Sequence, residues 1–494
     1  MRIAPVVPMV LSCAWQVAGA QADTLARFYA GSITGDELRG HVEVLASDSF
    51  MGRETSKEGQ RMAARYLREA FVSYGIPPVV SPSVTEGYYQ RYELVEERAG
   101  AIEVRGRGRR LAYPDEALYM REVLSGPIEV RQLTVIVDAD ADPPGSRHAL
   151  LVLDGAADEQ LKGLRARLLA LQAQRWDAVF VAMADEAFDS LRDLAHPGGS
   201  RMRLAEEAGA QPPRSLGPQV IMVPRRHLGR LLGRRGARRA DAAKHGRLLK
   251  TRIALVPQPR SERVVAENVL AYIEGSDLKH ELVVITAHYD HIGAEDGEVF
   301  NGADDNASGT AALLEIAQAF ATAKRHGHGP RRSVLVMPVS GEEKGLLGSR
   351  HYSEHPVFPL EATVADLNID MIGRTDSAHA DAAPYIYIIG SDRLSTELHA
   401  VNEQANDRHV GLALDYRFNA EDDPNRFYYR SDHYNFARKG VPSIFYFSGV
   451  HEDYHRAGDD AWKIRYDLMV PRARLVFHTA WELANRPMRL KVDR

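Results

Sequence analysis

From about Val264 onward the chain alternates short apolar runs with longer amphipathic ones, and this alternation restricts the fold more than any other feature. Val269 to Ile273, Leu282 to Thr286, Ser333 to Pro338, Ala362 to Ile369 and Ile386 to Ile389 are rich in branched and aromatic residues and predict strands. Ala307 to Ala323, Asp392 to Ala405 and Tyr466 to Ala484 repeat apolar residues at helical spacing and predict helices. Strands that alternate with helices need crossover connections. The pattern therefore implies a doubly wound α/β fold, with a mostly parallel sheet and helices on both faces. In such a sheet, functional groups gather in the crevice at the carboxyl ends of the strands.

The 494 residues exceed what one hydrophobic core usually serves, so two domains are expected. Asp36 to Gly75 reads as helical, with Leu38, Val42, Val44 and Leu45 on one stripe and Met62, Ala63, Tyr66, Leu67 and Phe71 on another. The stretch from about Leu111 to Pro257 differs in tone. Ala149 to Leu153, Ala178 to Val181 and Val220 to Val223 look like buried strands, and Leu161 to Leu171 like an amphipathic helix. The expected division is an amino-terminal part of the main domain over 23–110, a small inserted α/β module over 111–257, and the rest of the main domain over 258–494. The basic, Gly-rich stretch Gly106 to Arg110 fits a hinge or a loop.

Hydrophobic residues at 45% and charged residues at 26% exclude disordered, fibrous and membrane classes. A net charge of −5 leaves no nucleic-acid footprint. The basic cluster Arg225, Arg226, Arg230, Arg234, Arg235, Arg238 and Arg239 surrounds Leu228, Leu231 and Leu232 at helical spacing, which reads as a solvated helix face.

Cys13 is the only cysteine. Met1-Arg2, the apolar Ile3 to Leu11 and the small residues Ala18-Gly19-Ala20 read as a signal peptide over 1–22, so the protein is expected to be exported, periplasmic or secreted. A mature chain without cysteine suits an oxidising compartment. Val10-Leu11-Ser12-Cys13 also offers a second reading, a lipoprotein signal with Cys13 lipidated. No segment provides about 20 uninterrupted apolar residues, so no membrane span is expected.

Several predicted strands end in side chains that bind metals. His288-Tyr289-Asp290 follows the run from Leu282; alone, an H-x-D triplet is more commonly structural, and its functional form is a ligand imidazole held by a carboxylate. Gly302 to Gly309 carries Asp304 and Asp305 before a long helix, where capping would need only one such residue. Ser333 to Ser340 leads into Glu342-Glu343, whose neighbouring side chains point apart, so that one can bind metal while the other stands beside water. Asp370 closes the next strand, where an unpaired carboxylate would be costly. His451, His455 and Asp459 come late in the chain. Each signal is weak alone; their order on successive strand ends is strong.

That order resembles the co-catalytic di-zinc exopeptidases, the superfamily of bacterial leucyl aminopeptidases, glutamate carboxypeptidase and the transferrin receptor. The resemblance runs from about Asn268 to Asp460 through HYD, NGADDNASG, SGEEKGLLGS, NIDMIG, SDHYNFARKGVP and DYHRAGD, and LASDSFMGR resembles the amino-terminal segment of bacterial members. The inserted module resembles a protease-associated domain. The resemblance implies two Zn2+ per chain, with Asp305 bridging, His288 and Asp370 completing one site, and Glu343 and His455 the other. It also implies Glu342 as general base, Asp290 orienting His288, Tyr454 polarising the substrate carbonyl, and a cis peptide bond at Asp305-Asn306. Nitrogen and oxygen ligands without cysteine suit hydrolytic zinc.

The expected activity is hydrolysis of the amino-terminal peptide bond of peptides. A carboxypeptidase acting on acidic peptides would share the metal site, a glutaminyl cyclase would share the fold with one zinc, and a binding relative would have lost ligands. All five ligand positions are filled, which disfavours the last two. The loop Phe418 to Arg430 offers both Glu421, Asp422 and Asp423 and the cations Arg426 and Arg430. Beside the ligands, Asp304, Glu452 and Asp453 outnumber bases, which favours a site for an ammonium group over one for a carboxylate.

Overall fold

The computed structural model of the chain describes residues 23–98, 102–107, 109–119, 127–137, 146–172, 176–194, 200–209, 218–242, 244–257, 261–295, 297–379 and 384–494. The segment read as a signal, with Cys13, lies outside the described residues. The chain divides into two compact units, Met1–Leu94 with Val264–Arg494, and Val95–Arg263.

The second unit thus begins at Val95 rather than about Leu111. Strand pairing explains the difference: Val104 lies opposite Leu111 and Gly106 opposite Arg109 in a hairpin, and Ile102–Gly106 pairs in turn with Leu248–Pro257. Gly106 therefore ends the first strand of this hairpin and Arg109 and Arg110 begin the second, where a hinge or a loop was expected. An eight-stranded sheet runs through this unit, buried between two apolar clusters. Helix Arg225–Leu232 buries Leu228, Leu231 and Leu232, and its arginines meet acids at the surface, Arg225 with Asp154 and Arg226 with Asp189, both at 2.6 Å.

In the first unit seven strands form one sheet: β1 (Ala271–Ile273), β2 (Leu278–His288), β3 (Arg332–Val339), β4 (Thr363–Ile369), β5 (Tyr385–Ile389), β6 (Ala413–Asp415) and β7 (Ser443–Phe447). Their order is β1-β3-β2-β4-β7-β5-β6, and the central four are parallel. The helices of this unit include α1 (Gly35–Leu45), α2 (Glu58–Ser73), α3 (Gly309–Arg325), α4 (Leu347–Glu354), α5 (Thr396–His409) and α6 (Tyr466–Asn485). Alternate residues of a strand face opposite sides. Val283, Ile285, Val334 and Val336 pack with Leu314, Phe320, Met469 and Phe477 of α3 and α6. Val284, Leu335, Met337 and Val339 pack on the other side with Tyr352 of α4 and Phe436.

Register brings the strand ends level. His288 pairs with Val339, Thr286 with Asn368, and Ile369 with Tyr446. His288, the Glu342-Glu343 pair and Asp370 consequently leave the sheet at the same edge. Among the described residues no helix is long and apolar enough to cross a membrane.

Candidate metal centre

The loop that carries Asp305 is tightly tied. Gly302 adopts φ 54°, and a Cβ there would meet the Asp305 carbonyl oxygen at 2.2 Å, so only glycine fits. The Asp305-Asn306 peptide bond is cis. Asn306 Nδ2 donates to the Ile369 carbonyl at 2.9 Å, while its Oδ1 accepts the N–H of Gly309 at 2.9 Å and of Met371 at 3.1 Å. Asp304 Oδ1 accepts from Ser308 Oγ at 2.9 Å and from the Gly373 N–H at 2.6 Å. The NGADDNASG and NIDMIG segments are thereby stitched together at the head of α3.

All five expected ligands converge. His288 Nε2 lies 3.3 Å from both Asp305 Oδ1 and Asp370 Oδ1. His455 Nε2 lies 3.1 Å from Asp305 Oδ2 and 3.2 Å from Glu343 Oε2. One oxygen of Asp305 thus faces each group. Asp370 is fixed from behind by Ser431, whose hydroxyl donates to Oδ2 at 2.6 Å.

His291 joins them unexpectedly. It is fully buried, its Nδ1 sits 2.7 Å from Glu343 Oε1 and 3.8 Å from Asp305 Oδ2, and with those two acids it forms a third potential donor set. Sequence reasoning stopped at HYD; the available signal was another histidine one residue further, in the same loop.

Asp290 acts differently from expectation. His288 Nδ1 meets the backbone carbonyl of Asp290 at 3.1 Å, whereas the carboxylate is 3.9 Å away. That carboxylate accepts from Thr55 Oγ1 at 2.6 Å and from the Glu342 N–H at 3.3 Å, because the turn after β2 aims it at the amino-terminal segment. The imidazole is oriented by the main chain, and the side chain steadies the Glu342 loop.

A cleft of about 350 Å³ opens beside the ligands, lined by His288, Asp305, Glu342 and Asp370 on one side and Met371, Phe427, Phe445, Phe447 and Val450 on the other. Tyr454 and Arg430 complete it. Tyr454 stacks on His455 at 3.9 Å between ring centroids, and Arg430 Nη2 donates to its hydroxyl at 3.4 Å. The other acids near the ligands do not line this cleft. Asp304 is committed to Ser308 and Gly373, Asp453 pairs with Arg374 at 3.2 Å and Lys463 at 2.8 Å, and Glu452 with Arg374 at 3.1 Å. The expectation that they would hold an ammonium group loses its structural basis.

The electrostatics reveal a site with too many acids. Burial disfavours a charged His288, but Asp370 and Glu342 outweigh it and lift its pKa well above the usual value. His455 likewise rises to about 10, burial being overcome by hydrogen bonds to Asp305 and Glu343. Burial would raise Glu343, and so does Asp305, yet hydrogen bonds from His291 and His455 bring it down to about 2. Glu342 is pushed well above the carboxylate range by burial and by Glu343. The groups in contact with Asp305, Asp370 and Glu343 that offset their charge are histidines, His288, His291 and His455, and divalent cations fit that role. The donors are nitrogen and oxygen only, as hydrolytic zinc favours. The residues therefore fit the metal.

Residues 268–480 match the model of Peptidase family M28. A probable glutamate carboxypeptidase of Arabidopsis thaliana is 35% identical over 128 residues, which cover 25% of this chain and 18% of that protein. Aminopeptidase YwaD of Bacillus subtilis (strain 168) is 31% identical over 110 residues, 22% of each chain. The matched part is thus less than a quarter of either relative. The aminopeptidase from Aneurinibacillus sp. strain AM-1 superimposes with a TM-score of 0.55 over 95% of this chain and 98% of that one, at 17% identity, a likeness of fold. Over residues 268–480 the chain is thus similar to peptidase family M28, which agrees with the resemblance to the zinc exopeptidase superfamily read from its motifs.

Proposed function

We propose that this protein is an exported aminopeptidase that uses two zinc ions per chain. The supporting observation is Asp305, whose two carboxylate oxygens face separate donor groups, His288 with Asp370 and His455 with Glu343. His291 beside Glu343 adds a further nitrogen to the second group. Zinc bound there supplies Lewis acidity and lowers the pKa of water.

The chain's own residues then divide the work. Glu342 lines the cleft and, as general base, takes the proton of the attacking water and passes it to the leaving amine. Burial raises the Tyr454 pKa and the nearby Asp305 and Glu343 add to it, so its phenol stays protonated and donates to the scissile carbonyl oxygen. The apolar wall of Met371, Phe427, Phe445, Phe447 and Val450 excludes water and suits an apolar side chain.

Arg430 supports a second reading, a carboxypeptidase, because a guanidinium in the cleft suits a terminal carboxylate. Matched peptides decide between the two, one acetylated at its amino end and one amidated at its carboxyl end. Cleavage of the amidated peptide alone supports the aminopeptidase; cleavage of the acetylated peptide alone supports the carboxypeptidase.

A further inference from the structure

LASDSFMGR lies far outside residues 268–480, yet its last residue reaches the metal ligands from behind. Arg53 is fully buried, with φ 51°. Its guanidinium donates only to main-chain carbonyls: Nε to Tyr289 at 2.8 Å, Nη1 to Asn301 at 2.8 Å and to Leu45, and Nη2 to Gly302 at 2.9 Å. Its own carbonyl accepts the His291 N–H at 3.2 Å. Tyr289 follows the ligand His288, and Asn301 and Gly302 lead into the ligand Asp305. The two ligand-bearing stretches flank a short hairpin, Gly293–Glu295 with Glu298–Phe300, and Arg53 bonds to both flanks.

A buried guanidinium is commonly matched by a carboxylate in contact with it. Among the described residues Arg53 forms no ion pair. Burial brings its pKa down to about 10, and Asp305, Asp290, Asp459 and Glu343, the acids of the site itself, oppose that only in part from longer range. The planar fork of five N–H groups explains why arginine stands here, since a lysine ammonium could not reach both loops in fixed directions.

We infer that Arg53 is a positioning residue of the metal centre, clamping the loop after β2 to the loop before α3 so that His288 and Asp305 are preset to share a metal ion. The inference rests on the metal reading above. It makes the amino-terminal segment part of the site rather than a packing element.

The test compares wild type, Arg53→Lys and Arg53→Gln, with Arg332→Lys as control. Arg332 is equally buried and bonds the carbonyls of Leu483 and Arg486, away from the ligands. Three quantities are read: zinc affinity by competition with a chromogenic chelator, the visible absorption of the cobalt-substituted protein, and the melting temperature of the metal-free protein. Both Arg53 variants are expected to bind zinc at least ~10-fold more weakly and to shift the cobalt bands, the usual scale for groups that hold ligands in place. Arg332→Lys is expected to lower the melting temperature with zinc affinity and cobalt bands unchanged. Should Arg53→Gln fail to fold, Arg53→Lys, which keeps the charge, carries the comparison. Variants that bind zinc and cobalt as wild type does overturn the inference, whatever their melting temperature. Wild type that binds no zinc overturns the metal reading, and the inference with it.

Discussion

The carboxylate of Asp459 accepts the backbone N–H of Asp305 at 3.0 Å, and the same oxygen accepts that of Asp304 at 3.0 Å. Asp305 is thus held by its main chain, which leaves its carboxylate turned towards His288 on one side and His455 on the other. Asp459 is itself fully buried, and burial together with Asp304 raises its pKa to about 6. Asp459→Ala removes the anchor and leaves two buried N–H groups without an acceptor. Zinc affinity is expected to fall 10- to 100-fold, read by chelator competition. Unaltered affinity would show that the loop holds its shape unaided.

The proposed function gives the neighbours Glu342 and Glu343 different tasks. Glu342→Gln is expected to keep zinc and fold but to lose at least ~10²-fold in kcat, the scale of a positioned base. Glu343→Gln removes the negative charge and turns one of the two oxygens that meet His291 and His455 into an N–H donor, and is expected to lower zinc content. Measuring metal content and kcat on both variants checks the division. Equal metal loss in the two would refute it.

Gly302 is the hinge-point of the ligand loop, where a methyl group would collide with the Asp305 carbonyl at 2.2 Å and with the His291 ring at 2.5 Å. Gly302→Ala must displace one of them. The expected result is loss of zinc affinity alongside a destabilisation of about 1–3 kcal/mol, followed by thermal melting with and without zinc. A variant with wild-type melting and zinc content would mean that the loop relaxes freely.

His478 on α6 makes the fold sensitive to acid. Burial first, then repulsion from His409, Arg27 and Arg474, brings its pKa down to about 3. The unfolded chain takes up this proton near pH 6.5, whereas the folded chain refuses it until about pH 3. Stability from this group is therefore complete above about pH 6.5 and falls as pH drops, by about 2 kcal/mol at pH 5. His478→Leu is expected to reduce the fall in melting temperature between neutral pH and about pH 5 by roughly 4 °C. An unchanged fall contradicts the assignment.

The convergence of His288, the Glu342-Glu343 pair and Asp370 was legible because parallel strands in register end on one edge, whereas their roles as ligands are what the family resemblance implies. The supporting contacts were not legible. Arg53 bonds to carbonyls, which no side-chain pattern encodes, and it acts from a turn with positive φ at Met51, Gly52 and Arg53. Asp304 and Asp453 looked like free acids because their partners, Gly373 for one and Lys463 for the other, depend on how the loops fold over each other. Strand β7, SIFYF, was not anticipated from the sequence, and all five of its residues are buried.

Zinc content per folded chain tests the central claim most directly, measured by elemental mass spectrometry on wild type and Asp305→Ala after dialysis against trace zinc. The account predicts two zinc ions in wild type and fewer than one in the variant, because both groups of ligands lose their shared carboxylate. A wild-type chain that holds no zinc, or an Asp305→Ala variant that still holds two, would contradict it.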